Sequence, residues 1–247
     1  MLSPRAGYPM DQSLTSRAYE AIKADIITCT LQPGRQIAQR QLAEQYGAGL
    51  TPVREALQRL AQEGFVQAIP RSGYVVAPIS LSDVREIFEL RAIIEGAAAR
   101  LAAERGSPEQ IQRIAQAASF TYVYRDRQSY SRFLAFNASF HRSVAVAAGN
   151  QRLADQVARL LDELSRVFHL GLDVKDSAEE MQREHLALAQ ALCNRDAARA
   201  EEIVRSQIAR SQQRVLEAIV GSVGAVTNGL GHVVRVQPCD GRWEERS

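Results

Sequence analysis

The sequence has 247 residues, of which 46% are hydrophobic and 6% aromatic, and its formal net charge is +2. A chain of this length can bury two separate cores, and its many Ala, Leu, Gln, Arg and Glu residues favour helices. It has no 18-residue apolar run, no leader-like apolar stretch and no Cys-x-x-Cys pair, which argues against a membrane span, a secreted protein and a zinc finger. We therefore expect a soluble cytoplasmic protein with free thiols.

The first part of the chain has the pattern of three short helices. Residues 1–12, with two prolines and a glycine, suggest a flexible arm. Apolar residues recur every three or four positions over 13–28, and shorter helical patterns follow over 39–46 and 51–64. Thr51 and Pro52 suit the cap and the first position of the third helix.

A β signal follows these helices. Two short β-prone runs, 65–69 and 74–76, are joined by the turn 70–73. Three helices and a hairpin, with a tight turn between the second and third helices, are typical of a winged helix-turn-helix. The pattern predicts a DNA-binding domain over 13–78, a segment that contains seven basic and five acidic residues.

The remaining chain predicts a bundle of six or seven helices over 79–220, so the fold class is mainly α. Capping boxes are predicted at Ser80, Ser107 and Ser177, and Asp196 is expected to cap the last helix. Residues 221–247 contain five glycines, and we expect a disordered tail in which 233–236 could form at most an unpartnered strand.

Several runs carry a resemblance to a known family. In the first domain they are Leu31-Gln32-Pro33-Gly34, Gln41-Leu42-Ala43-Glu44, Thr51-Pro52-Val53-Arg54-Glu55-Ala56-Leu57 and Arg71-Ser72-Gly73-Tyr74; in the second they are Glu89-Leu90-Arg91 with Glu95, Phe140-His141, Ala148-Gly149-Asn150 and Glu184-His185. On these runs residues 31–78 resemble the GntR-type winged helix, and the helical part resembles the FCD ligand-binding domain of the FadR-like branch. The resemblance implies a homodimeric transcriptional regulator, most often a repressor, that binds a double-stranded operator and releases it on binding an organic acid.

The resemblance also implies which residues contact DNA. The second helix of a helix-turn-helix enters the major groove with its N-terminal end, where Arg54 can pair with guanine and Thr51 with a phosphate. Arg40 and the wing residues Arg71 and Gly73 complete the expected set. Family members usually carry an arginine at the position of Leu50. One phosphate or base contact is therefore expected to be lost. A lost bidentate base contact costs roughly 1–3 kcal/mol of discrimination, so we expect an altered operator rather than no binding.

An effector pocket is predicted from Arg91, Asn137, His141, His185 and Gln207. The resemblance matches the last four to an Asp, His, His and His set that holds a divalent ion such as zinc or nickel. Here His141, His185 and Asn137 remain as candidate ligands, and the two amides are weaker donors than the family's residues. The alternative is a metal-free polar pocket.

Two questions stay open from the residues alone. Arg91 either binds an effector carboxylate or only pairs with Glu95 one helical turn away. Two rival functions are a metal-dependent hydrolase and a dimerisation module with degenerate DNA binding. The sequence contains no HExxH, P-loop or GxSxG motif, and a hydrolase would have no use for the third helix, so we do not expect an enzyme.

Overall fold

The computed structural model describes residues 13–169 and 176–223. The chain divides into two compact units, Met1–Pro78 and Ile79–Ser247. Within the described residues the first unit holds three helices and a small sheet, and the second holds helices alone. The predicted mainly α fold class is therefore confirmed. The predicted N-terminal arm and the part of the predicted tail from residue 224 onward lie outside the described residues.

The first unit contains α1 (Leu14–Ile27), β1 (Gln36–Ile37), α2 (Gln39–Gln45), α3 (Leu50–Gln62), β2 (Val66–Ile69) and β3 (Gly73–Val76). The antiparallel sheet has the order β1-β3-β2. The sequence did not predict β1, since a two-residue strand has no periodicity of its own and forms only by pairing with β3. Side chains from all three helices form the core of this unit, and they include Ile22, Leu42 and Leu57.

The start of α3 differs from the prediction. The helix begins at Leu50 with Gly49 as its cap, and no side chain caps it. The predicted cap at Thr51 is therefore wrong, and Pro52 occupies the third helical position. Proline is tolerated there because the first four N–H groups of a helix have no partner within the helix.

The second unit contains α4 (Leu81–Arg105), α5 (Pro108–Ala117), α6 (Arg127–Ala147), α7 (Gln151–His169), α8 (Ala178–Cys193) and α9 (Ala197–Val223). Helix α4 packs against α6, α7, α8 and α9, and its apolar face is buried among them. The last helix continues three residues beyond its predicted end. None of the helices in the described residues combines the length and the apolar run that a membrane crossing requires.

The helix caps of this unit confirm three predictions and contradict one. Ser80 and Ser107 form capping boxes, and Asp196 accepts a hydrogen bond from the Arg199 amide at 3.0 Å. The capping box predicted at Ser177 is wrong, because its side chain makes no cap bond. The Glu180 carboxylate that should complete that box instead lies 3.3 Å from Nη1 of Arg214 on α9.

Candidate functional site

The five predicted DNA-contacting residues lie on three elements of the first unit. Arg40 is the second residue of α2, Thr51 and Arg54 lie in the first turns of α3, and Arg71 and Gly73 lie in the hairpin between β2 and β3. The three arginines and Thr51 are exposed. Leu50, the first residue of α3, is 38% exposed, so it is a surface residue rather than a core residue.

Gln39 joins these three elements and was not singled out by the sequence. Its Oε1 accepts a hydrogen bond from Nε of Arg54 at 3.1 Å. A Cβ atom placed on Gly73 would lie 3.7 Å from Nε2 of Gln39. The first residue of α2 therefore meets both α3 and the wing, the hairpin of β2 and β3. Only the tertiary fold reveals this contact, because the sequence separates Gln39 from Arg54 by 15 positions.

The tip of the wing is conformationally strained. The Ser72 amide donates to the Ile69 carbonyl oxygen at 3.0 Å, which closes a turn with Pro70 and Arg71 at its centre. Arg71 has a φ of 63°, a left-handed conformation that favours glycine at this turn position. An arginine kept in such a conformation at an exposed tip is consistent with a functional role.

Contacts between α1 and the C-terminal end of α3 hold α3 in place. Glu63 accepts hydrogen bonds from the Tyr19 hydroxyl and from Nε of Arg59, and Nζ of Lys23 lies 3.4 Å away. The Arg59 guanidinium lies 3.6 Å from the centre of the Tyr19 ring. Partial burial raises the pKa of Glu63, but the Tyr19 hydrogen bond and the Lys23 charge outweigh it and hold that pKa below its usual range. The carboxylate thus stays ionised and secures α3 against α1.

The five predicted effector residues line one pocket in the second unit. Helix α4 supplies Arg91, α6 supplies Asn137 and His141, α8 supplies His185, and α9 supplies Gln207. Each is no more than 8% exposed. The pocket has an empty volume of about 360 Å³, counting the part that opens to solvent, and its other lining residues are Phe168, Met181, Glu184, Ile208, Ser211 and Arg214.

Glu95 organises one wall of this pocket. Nε of Arg91 donates to its Oε1 at 2.5 Å, and Nδ1 of His141 lies 3.1 Å from its Oε2. Burial by itself raises the pKa of Glu95. The Arg91 charge and the His141 hydrogen bond outweigh burial and lower this pKa to about 2. The ion pair expected as one alternative for Arg91 is therefore present. Arg91 also lines the pocket, and Glu95 is its only hydrogen-bonding or ionic partner among the described residues.

His185 is held among aromatic rings. Phe120 and Phe140 lie 4.7 and 4.8 Å from it between ring centroids, and His141 lies 5.4 Å away. Burial lowers the pKa of His185 to about 3; the His141 charge adds to this effect and the Met181 carbonyl opposes it. His185 is therefore neutral at physiological pH, with one nitrogen able to donate and the other able to accept a hydrogen bond.

Gln207 is the least satisfied polar residue of the pocket. Its side chain is 5% exposed, and neither Oε1 nor Nε2 has a hydrogen-bond partner in the described part of the chain. Native proteins rarely leave both atoms of a buried amide unpaired. The amide therefore lies on the pocket lining with a donor and an acceptor that the described residues leave unpaired.

Charged residues at the pocket lining are balanced in pairs. Glu184 accepts from Nε of Arg210 at 2.5 Å, and Arg214 lies 3.3 Å from Glu180. Sequence reasoning did not select Arg214 or Ser211. Ser211 and Arg214 lie four and seven positions after Gln207 on α9, which places all three on one helix face. This spacing was the signal in the sequence that could have identified them.

The residues of the pocket do not fit the zinc or nickel ion that the resemblance implies. Such ions take imidazole, thiolate and carboxylate ligands, whereas two of the four candidates here, Asn137 and Gln207, are neutral amides. The described residues contain no group of three or more His, Cys, Asp or Glu side chains that could hold a metal ion. Glu95, whose Oε2 lies 3.1 Å from Nδ1 of His141, is already held by Arg91.

Comparisons with known proteins cover both units. A model of the FCD domain matches residues 86–210, and a model of the bacterial regulatory proteins of the gntR family matches residues 14–76. The HTH-type transcriptional repressor RspR of Escherichia coli strain K12 is 28% identical over 185 residues, which are 75% of this chain and 81% of that protein. The repressor GlaR of the same strain is 27% identical over 212 residues, 83% of this chain and 96% of that protein. The structure of E. coli McbR/YncC has a TM-score of 0.72 at 21% identity and covers 84% of this chain and 99% of its own.

Proposed function

We propose that a small molecule bound in the helical domain controls the DNA binding of this chain, which belongs to the GntR family of bacterial regulatory proteins and carries an FCD domain. The chain is a DNA-binding transcriptional regulator and not an enzyme. We further propose that it is a repressor, as its relatives RspR and GlaR are named, and that it acts in the cytoplasm, where its operator is found.

The proposed DNA interface uses the residues around Gln39. Arg54 reads a base edge from the first turns of α3, and Arg40 and Thr51 contact phosphates beside it. Arg71 and Gly73 bring the wing to the adjacent backbone. A homodimer would place two such surfaces on a pseudo-palindromic operator, with a half-site spacing that follows the symmetry of the dimer.

One observation supports the effector pocket above all others. Four helices bring five buried polar side chains to one cavity, and within the described residues both atoms of the Gln207 amide are unpaired. A folded domain tolerates the free-energy cost of burying unpaired polar atoms when the site serves a ligand. A ligand that binds one arrangement of the dimer more tightly shifts the population towards it and so changes operator affinity.

Operator release is the direct test. An operator selected by the full chain from a random DNA library is titrated with protein in the presence of a panel of small organic acids. We expect at least one acid to weaken operator binding of the wild type and to have no effect on Gln207→Leu. Gln213→Leu serves as the matched control, since Gln213 is exposed on the same helix. An acid that weakens operator binding equally in Gln207→Leu and Gln213→Leu would contradict the proposal. A panel in which no acid affects DNA binding would contradict it as well.

A further inference from the structure

The polar side chains that line the pocket suit direct hydrogen bonding to a ligand. Asn137 and Gln207 contribute amides, and His141 and His185 contribute imidazoles. An amide offers both a hydrogen-bond donor and an acceptor, but it brings no negative charge to offset the charge of a divalent cation. A site that carries two of them in place of ionisable ligands has lost much of the affinity that zinc or nickel needs.

The buried carboxylate cannot restore that charge. Glu95 accepts from Nε of Arg91 and lies within 3.1 Å of His141 Nδ1, and its own exposure is 3%. Turning Glu95 towards a metal ion would leave the Arg91 guanidinium buried without its partner, which is strongly destabilising. The Arg91–Glu95 pair therefore belongs to the wall of the pocket.

Gln207 indicates what the ligand must supply. Its unpaired Nε2 requires an acceptor and its unpaired Oε1 requires a donor. A carboxylate alone satisfies only the first of these atoms. A hydroxyl or N–H group beside the carboxylate satisfies the second. The terminal nitrogens of Arg91, which have no hydrogen-bond partner among the described residues, favour the negative charge.

We propose that the pocket binds its effector without a metal ion, and that the effector is a small organic acid with a hydroxyl or N–H group next to its carboxylate. The Gln207 amide pairs with both groups, and Asn137 and the two histidines complete the hydrogen bonds. This inference rests on the proposed effector function of the domain. Its first part, the absence of a metal requirement, is testable without any effector.

The metal experiment compares the full-length wild type with His141→Ala and with the double variant Asn137→Asp/Gln207→His. Each protein is stripped with a chelator, titrated calorimetrically with zinc or nickel, and analysed for bound metal by mass spectrometry. We expect the wild type to bind no more metal than His141→Ala. The double variant should bind one ion per chain at least about tenfold more tightly, and adding His141→Ala should abolish that gain.

Two results would overturn the metal-free site. The first is one equivalent of metal on the wild type that His141→Ala loses. The second is a double variant with wild-type circular dichroism that gains no affinity, because the amides would then not be the cause. If the double variant does not fold, the comparison of the wild type with His141→Ala still decides the question.

The ligand class is tested with matched pairs of probes. Small 2-hydroxy and 2-amino acids are compared with the corresponding unsubstituted acids by calorimetry on the metal-free protein. We expect the substituted member of at least one pair to bind tenfold or more tightly than its partner, and Gln207→Leu to remove the difference. Equal binding within every pair, or no binding by any acid, refutes the ligand class. Failure of operator release alone would instead refute the proposed regulation and leave both binding results intact.

Discussion

Replacing Gln207 with leucine should stabilise the ligand-free protein. The side chain is 5% exposed and both of its amide atoms lack a hydrogen-bond partner in the described residues. Leucine has a similar volume and presents no polar atom that must lose water on folding. The variant therefore removes an unfavourable contribution to the free energy of folding and leaves an apolar side chain in its place on the pocket lining.

The size of the effect follows from burial. An unpaired buried polar group costs about 1–3 kcal/mol, and because the pocket opens to solvent, water can offset part of this cost. We expect a gain of about 1–2 kcal/mol in the free energy of unfolding. For a domain of this size each kcal/mol raises the melting temperature by roughly 2–4 °C, so the melting temperature should rise by roughly 2–8 °C.

Chemical denaturation of the metal-free, ligand-free chain measures the change, with circular dichroism and scanning calorimetry as independent probes. Gln213→Leu should alter stability by no more than about 0.5 kcal/mol, because its side chain is exposed. A Gln207→Leu protein that is less stable than the wild type would refute the reasoning. Such a result would mean that the amide is satisfied in solution and is part of the fold rather than of a ligand site.

Three further variants test the first unit. Leu50→Arg should add one phosphate contact and steepen the dependence of log K on log salt concentration by about 0.9 in operator titrations. Arg71→Gly should raise the free energy of unfolding by about 1 kcal/mol, since glycine adopts a positive φ without strain, while gel-shift affinity falls. Glu63→Gln should lower stability by about 1 kcal/mol at neutral pH. The pKa of Glu63 is lowered by folding, so its stabilisation is complete above the unfolded value of 4.5 and declines as pH falls through the lower folded value. The stability difference between wild type and variant should therefore shrink in acid denaturation curves.

Each of these expectations has its own control. Leu81→Arg adds the same charge at an exposed position of the other unit and should leave the salt slope unchanged; equal slopes for Leu50→Arg and wild type place Leu50 away from the DNA. An Arg71→Gly protein with undiminished operator affinity assigns the tip no role in binding. A Glu63 effect that stays constant down to strongly acidic pH would argue against its ion pair with Lys23.

The sequence determined the architecture because local signals and periodicity agreed with it. The apolar spacing along each helix, the capping boxes at Ser80 and Ser107, and the turn between β2 and β3 are short-range features that operate within a few residues. The family motif beginning at Thr51 then selected Thr51 and Arg54 as candidate DNA contacts, and both lie on α3. The errors at Thr51 and Ser177 arose where a neighbour changed the local choice: Gly49 took over the cap of α3, and Arg214 drew Glu180 away from the cap of α8.

The sequence alone also selected the five residues that the structure places around the pocket, since four of them match positions of a family site. It left the state of Arg91 open, because a spacing of four residues on a helix is equally compatible with a salt bridge and with ligand binding. The tertiary structure shows the salt bridge, in which Oε1 of Glu95 accepts from Nε of Arg91 and Oε2 lies 3.1 Å from Nδ1 of His141, and it also places Arg91 on the lining of the pocket.

What only the fold supplied are the contacts between residues far apart in sequence. Gln39 meets Arg54 and the wing, β1 forms by pairing with β3, and helices distant along the chain enclose Gln207 without a hydrogen-bond partner in the described residues. Sequence patterns report which face of an element is buried, because that depends on periodicity. They do not report which polar atoms find a partner after burial, because hydrogen bonding depends on distances of a few tenths of an ångström that packing alone sets.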